Sequence, residues 1–151
     1  MAEQQKSGME RRMVHRLMLH WRSAHHEDEL PTLASVLIRD LEDIAPCIYV
    51  LRIHDDESDP VFEHIGESYF GTASQKLIGA TVSRVPTMTL LGQASKNYTK
   101  VLEKSVPFSL GGEFQNNEGV TVLYRSCILP VRDTDGYVSH LLGAANCKKK
   151  V

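Results

Sequence analysis

The segment that most constrains the fold of this chain runs from Leu129 to Cys147 and reads LPVRDTDGYVSHLLGAANC. Its two apolar runs flank DTDG (133–136), whose Asp and Gly residues favour a tight turn between antiparallel strands. A similar turn sequence, NNEG, occupies 116–119. The C-terminal part of the chain is therefore predicted to form consecutive antiparallel strands over 107–115, 120–131 and 138–147.

Two further strands are predicted nearer the N-terminus. The segment CIYVLRI (47–53) is almost wholly apolar, which is typical of a strand covered on both faces. The acidic turn DDESDP follows it, and VFEHI (61–65) then returns as its hairpin partner.

Helical periodicity marks the other segments. Met13, Leu17 and Trp21 recur at four-residue steps, which predicts an N-terminal helix from Met9 to about Ser23. The same periodicity predicts two more helices, a second one that begins at Pro31 and Thr32 and a long one over 87–104.

This order of elements predicts an α+β fold, in which a five-stranded antiparallel sheet carries helices across one face. Because the first strand has no polar face, the N-terminal helices are expected to cover the other face, packing on the sheet or on a partner subunit. Met13, Leu17 and Trp21 are therefore interface candidates. The predicted division of the chain is a flexible N-terminus (1–12), a single domain (13–147) and a basic tail (148–151).

Composition excludes several classes of function. The chain has 151 residues, 42% of them hydrophobic, a net charge of −2 and a pI near 6.4. Nucleic-acid binding usually needs a basic domain, so no nucleic-acid partner is expected. Neither a membrane-spanning run nor a signal peptide is visible, and the odd, widely spaced cysteines indicate free thiols. We therefore expect a cytoplasmic protein without membrane insertion.

The sequence contains little evidence for a catalytic site or a metal site. Ser139, His140 and Asp135 offer the residue types of a hydrolytic triad, but no nucleophile elbow or oxyanion site accompanies them. Glu63 and Glu113 could act as a general acid and a general base, but no sequence spacing indicates that they form such a pair. The run HHEDE (25–29) has ligand types without metal-ligand spacing. We expect no enzyme activity and no metal site.

Two histidines lie within predicted strands. Strand alternation puts His64 on the same face as Phe62, and His140 on the same face as Leu142 and Ala144. Should those faces line the concave side of the sheet, either imidazole could bind a ligand. The alternative is a histidine that is simply hydrogen-bonded or partly exposed.

The phrase LPVRDTDGYVSHLLGA resembles the usual ending of a PAS domain, the small sensor module of bacterial signalling proteins, and LIGATVSRV (77–85) is similar to the Gly-containing segment before its long helix. A helix ending in HWRS (20–23), then LP (30–31) and Pro46, narrows the resemblance to a stand-alone single-PAS subgroup common in alphaproteobacteria. The resemblance covers about 13–147.

The resemblance implies a non-catalytic signalling or adaptor protein that contacts sensor kinases and other regulators, with homodimerisation through the leading helix left open. The alternative is a sensor that holds a metabolite or haem between the sheet and the long helix. The pocket candidates for that alternative are His64, Tyr98, Tyr124, Arg125 and His140.

The same resemblance bears on cofactors. Light-sensing flavin members carry an Asn-Cys-Arg motif before the long helix, and the corresponding segment here, FGTASQKL (70–77), has no cysteine. Haem-binding members often place a histidine on or near the long helix, and 87–104 contains none. We therefore expect no cofactor and no flavin motif.

Overall fold

The computed structural model describes residues 2–26, 29–37, 41–54, 58–133 and 136–150, with side chains from residue 13 onward. The helices are α1 (Ala2–Ala24), α2 (Leu33–Val36), α3 (Glu67–Phe70), α4 (Leu90–Ser95) and α5 (Tyr98–Lys104). The strands are β1 (Ile48–Arg52), β2 (Val61–Ile65), β3 (Phe108–Gln115), β4 (Thr121–Arg132) and β5 (Val138–Lys149). Short 3₁₀ turns lie at Ala45–Cys47, Gly71–Leu77 and Val82–Arg84.

The strands form one five-stranded sheet in the order β2-β1-β5-β4-β3, with every neighbouring pair antiparallel. This arrangement confirms the predicted α+β class. The closing segment from Leu129 to Cys147 is central to it, because β5 lies between β4 and β1. The predicted turn residues 134–135 lie outside the described part of the chain.

The two faces of the sheet bury separate cores. On the outer face, α1 packs its apolar stripe against strand residues such as Leu129 and Leu142. On the inner face, α4 and α5 pack residues such as Leu91 and Val101 onto Leu51. A strand between two such layers has no polar side, which explains the apolar sequence of β1.

The interface candidates Met13, Leu17 and Trp21 are buried in the outer core of their own chain. The chain thus covers its outer face with its own helix. This finding corrects the interface interpretation of the three side chains, because none of them is accessible to a partner subunit.

Two elements, α1 and β5, extend beyond their predicted ends. Helix α1 begins at Ala2, so the segment predicted as a flexible N-terminus is helical, in keeping with its Ala, Glu and Gln residues. Strand β5 reaches Lys149, inside the predicted basic tail, because Lys148 and Lys149 still pair with β4. Segment 38–40, where the second helix was expected to continue, lies outside the described residues.

The long helix predicted over 87–104 is two helices. Helix α4 ends at Ser95, whose hydroxyl donates to the carbonyl of Leu91, a bond that competes with regular helix geometry. Asn97 occupies the N-cap position of α5, where its backbone is no longer helical and its side chain makes no capping bond. The apolar periodicity continues across this break, so the sequence pattern could not reveal it.

No helix in the described ranges is long and apolar enough to cross a bilayer.

Candidate functional site

A β-bulge in β2 decides which side chains the outer face presents. Val50 of β1 pairs with His64, but the next residue, Leu51, pairs with Phe62, so Glu63 has no partner across the strand pair. A bulge places two successive side chains on one face. Phe62 points inward and is fully buried, whereas Glu63 and His64 both lie exposed on the outer face. The prediction that His64 shares a face with Phe62 is therefore wrong.

The carboxylate of Glu63 is held in place by His140 of β5. Nε2 of His140 lies 2.8 Å from Oε2 of Glu63, and Nδ1 lies 2.9 Å from the hydroxyl of Ser139. When the imidazole is neutral, its Nε2–H donates to Glu63 and its Nδ1 accepts from Ser139. His140 shares the outer face with Leu142 and Ala144, as predicted. Both histidines thus lie on the side of the sheet away from α4 and α5.

A groove of about 440 Å³ adjoins this carboxylate, between α2 and the strands β1 and β2. Six aliphatic side chains and three polar ones line it: Leu33, Leu37, Leu41, Ala45, Ile48 and Val50, with Glu42, Glu63 and His64. We refer to it as the β2 groove. It combines an apolar floor with carboxylates at its rim, so it is suited to contact an apolar group that carries a positive charge.

Three aromatic rings of the chain pack together between the sheet and α4. The ring of Tyr49 lies on Gly143 of the neighbouring strand, where a side chain would overlap it. Phe62 and Tyr69 pack edge-on against that ring, with centroids 5.9 and 6.0 Å away. The hydroxyl of Tyr49 donates to the carbonyl of Ala94 at 3.3 Å.

Burial has a strong electrostatic effect on these rings. The hydroxyl of Tyr69 donates to the carbonyl of Cys47 at 2.6 Å, and desolvation raises the pKa of both Tyr49 and Tyr69 well above the usual tyrosine range. Both rings therefore stay neutral at physiological pH. They act as hydrogen-bonded packing elements that tie the sheet to α3 and α4.

The five pocket candidates do not meet in one site. Tyr98 and Tyr124 lie on the inner side, where Tyr98 donates to Asp59 at 3.4 Å and Tyr124 packs on Phe114. Desolvation by burial raises the pKa of both tyrosines. Among the other three, His64 and His140 lie near the β2 groove.

Arg125 is separate from both groups. It lies exposed on β4, beside a different cavity that it shares with Val14 and Met18 of α1. Two of the five candidates therefore lie on the inner side of the sheet and three on its outer face. On the outer face, Arg125 of β4 lies apart from His64 and His140, which are near the β2 groove.

The catalytic alternatives are also dispersed. Glu63 and Glu113 lie on β2 and β3, the opposite edge strands of the sheet. Ser139 and His140 are hydrogen-bonded neighbours, but Asp135 lies outside the described residues. Within the described ranges, no three His, Cys, Asp or Glu side chains come together as a metal site would require.

Sequence reasoning missed the pairing of Glu63 with His140 and the contribution of Glu42. Strand alternation gives no sign of a bulge, and a bulge is needed to bring Glu63 to the face of His140. The signal available in the sequence was a polar residue within an apolar strand, since His140 lies among Leu and Ala residues.

Solved structures share this arrangement of sheet and helices. A flavin-analogue structure of a light-oxygen-voltage (LOV) domain superposes with a TM-score of 0.51 at 17% identity, covering 72% of this chain and 81% of the other. The LOV domain of a blue-light activated histidine kinase from Erythrobacter litoralis gives 0.50 at 11% identity, covering 69% and 96%. LOV domains are a subfamily of PAS domains. The chain has a PAS fold.

A structure of VqmA bound to DPO shares the PAS fold with a TM-score of 0.52 at 15% identity, covering 72% of this chain and 55% of that one. No family model and no curated protein sequence matches the chain. The PAS resemblance read from the closing segment is confirmed, while the alphaproteobacterial subgroup stays a prediction. At these identities the likeness establishes the fold alone.

The cofactor expectation requires correction. We expected no cofactor, and the LOV structures overturn that expectation, since the same PAS fold was studied with a flavin analogue. The lack of a motif therefore does not separate this chain from flavin-related PAS domains. In this structure the rings of Tyr49, Phe62 and Tyr69 pack against one another beside α4.

Proposed function

We propose that this chain is a PAS signalling module that acts through contacts with other proteins, without catalysis of its own. The observation that carries the proposal is the contrast between the two faces of its sheet. On the inner side, Tyr49 and Phe62 are fully buried and pack against Tyr69. The outer face, beyond α1, presents the open β2 groove with a positioned carboxylate at Glu63.

The attachment of α1 supports a surface role for the outer face. Trp21 donates to the carbonyl of Pro130 at 2.7 Å, and Arg16 forms a two-pronged ion pair with Asp43 at 2.6 and 3.2 Å. These contacts hold α1 on β4 and on the segment before β1, so the outer face of β1 and β2 stays accessible at the β2 groove. The edge of β2 itself is hydrogen-bonded to residues 79–82.

Sensor kinases are the proposed partners. One structural neighbour is the LOV domain of a histidine kinase, which supports a place for this fold in kinase signalling. A homodimer is compatible with the proposal, but it would need a surface other than the buried stripe of α1.

In-cell cross-linking tests the proposed function. The intact chain would carry a photo-reactive amino acid at one of several exposed sites: His64 on the outer face, Glu103 on α5, or Tyr137 beside the final turn. We expect adducts with sensor kinases or other signalling regulators, and at least a twofold change in kinase autophosphorylation when the purified chain is added. Adducts that include no signalling protein from any site would overturn the proposal.

A small-ligand sensor is the second candidate, because the neighbour VqmA was solved with DPO bound. Tyr98 and Tyr124 are the polar candidates that face the inner side in this chain. Native mass spectrometry and an absorbance spectrum of the purified chain test this candidate. A stoichiometric bound mass, a haem Soret band or a flavin spectrum would favour the sensor, and the unliganded mass with no visible absorbance would favour the adaptor.

A further inference from the structure

The floor of the β2 groove is aliphatic and partly open to solvent. Leu33 and Leu37 of the α2 segment are partly exposed, whereas Ile48 and Val50 of β1 are buried beneath them. Aliphatic surface of this kind gains free energy when another apolar group removes it from water. Contiguous apolar patches with polar rims are typical of interaction sites.

The rim of the groove is acidic. Glu42 and Glu63 are both exposed and both line it, and the described lining residues include no Lys or Arg. The contact from His140 holds Glu63 in one orientation, so its carboxylate does not turn freely into solvent. Two carboxylates beside an apolar floor attract a positively charged group and repel an acidic one.

The openness of the groove favours a chain segment over a small molecule. Glu42, Glu63 and His64 form an exposed side, so a small ligand would remain largely in water, whereas small-molecule sites bury roughly 70–90% of their ligand. An amphipathic segment can bury one face and leave the other solvated. We infer that the β2 groove binds a basic amphipathic segment of a partner protein, with aliphatic side chains on the floor and Lys or Arg beside Glu42 and Glu63.

This inference rests on the proposed function, since it specifies the chemistry of the partner. Its test uses the full chain and a fluorescein-labelled helical peptide of Leu and Lys, with a peptide of Leu and Glu in the same pattern for comparison. Binding is followed by fluorescence anisotropy. We expect saturable binding of the Leu/Lys peptide and at least about tenfold weaker binding of the Leu/Glu peptide.

Two variants probe the floor and the rim separately. Ala45 is exposed at the groove, so Ala45→Trp fills the groove without disturbing the buried core, and it should abolish saturable binding. The double variant Glu42→Gln, Glu63→Gln keeps the side-chain shapes and should weaken binding about tenfold. Its matched control, Glu103→Gln with Glu118→Gln, removes the same charge from exposed positions elsewhere and should leave binding unchanged. Circular dichroism confirms that each variant is folded.

The inference is overturned if folded Ala45→Trp binds the Leu/Lys peptide as tightly as the unaltered chain does. It is also overturned if the rim double variant and its matched control weaken binding equally. A concentration-dependent dimer that Ala45→Trp dissociates would assign the groove to a second copy of the chain and would also overturn it. A bound small molecule that Ala45→Trp expels would do the same.

The cross-linking experiment separates this inference from the proposed function. Kinase adducts that persist in Ala45→Trp would overturn the groove assignment and leave the signalling function standing. An unaltered chain that forms no signalling adduct would overturn the function itself.

Discussion

The indole N–H of Trp21 donates to the carbonyl oxygen of Pro130 at 2.7 Å, joining α1 to β4. Strand β3 pairs with β4 as far as Ile128, so Pro130 lies beyond the end of β3. Proline has no N–H to offer a strand ladder, and it is tolerated where no neighbouring strand requires one. The carbonyl oxygen of Pro130 has no partner in β3, and it accepts its hydrogen bond from Trp21.

Trp21→Phe tests this contact, because phenylalanine retains an aromatic ring and lacks the donor. The substitution leaves the Pro130 carbonyl buried without its partner, so the free energy of unfolding should fall by about 1–3 kcal/mol. Urea unfolding followed by circular dichroism measures the change. Leu19→Ala on the same helix is the control, since Leu19 is 45% exposed, and its effect should stay within about 0.5 kcal/mol. An unchanged urea midpoint for Trp21→Phe would refute the structural role of the bond.

Gly143→Ala should destabilise the inner core. A methyl group at Gly143 would overlap the ring of Tyr49, which has no room to move because Phe62 and Tyr69 pack against it. Overpacking of this kind costs about 1–3 kcal/mol. Thermal unfolding by calorimetry would record it as a lower Tm.

Gly111→Ala is the matched control for that substitution. Gly111 is also a strand glycine, but the nearest atom to an added methyl group there is the carbonyl oxygen of Tyr124, at 3.8 Å. We expect a Tm close to that of the unaltered chain. Equal losses in the two variants would mean that glycine flexibility, and not the Tyr49 ring, governs the effect.

The cysteines should differ sharply in reactivity. Cys147 is exposed near the end of β5, whereas Cys127 is fully buried in the outer core, where desolvation raises the pKa of its thiol to about 12. Only thiolate reacts with disulfide reagents, so Cys127 should react at least about 1,000-fold more slowly than Cys147 at pH 8. Stopped-flow titration with Ellman's reagent, using Cys147→Ser and Cys127→Ser to assign the phases, measures this ratio. A fast phase that survives in Cys147→Ser and disappears in Cys127→Ser would contradict the burial of Cys127.

Stability should fall at alkaline pH. The thiol of Cys127 has a pKa of about 12 in the folded chain and an ordinary value of 9.0 when exposed. A raised folded pKa gives stability that is complete below pH 9.0 and is lost as pH rises toward 12, by about 1.4 kcal/mol per pH unit at most. Tyr49 and Tyr69, whose pKa values are also raised, add to the loss above pH 10.

Urea unfolding between pH 8 and pH 11 measures this alkaline loss, and Cys127→Ala is the informative variant. Removing the thiol removes its contribution, so the variant should lose less stability between pH 9 and pH 10 than the unaltered chain. Identical pH profiles in the two proteins would show that Cys127 ionises freely in the folded state.

Local patterns in the sequence were sufficient where a single element determines its own structure. The β2 segment VFEHI was predicted over 61–65 and spans those residues, because apolar residues between clear turn signals define a strand. The break between α4 and α5 was not predictable, since the apolar positions of both helices follow one continuous period. The start of the second helix was predictable, since the side chain of Thr32 caps it by accepting from the N–H of Ser35.

The sequence by itself determined the α+β class, the closing hairpin from Leu129 to Cys147 and the PAS resemblance, because turn chemistry and apolar periodicity act over a few neighbouring residues. The tertiary structure alone decided that α1 covers its own sheet and that a bulge turns Glu63 toward His140. It also decided that the ring of Tyr49 packs on Gly143. Each of these three features depends on residues that are far apart in the chain. Their contacts form only when the strands pair in their native register.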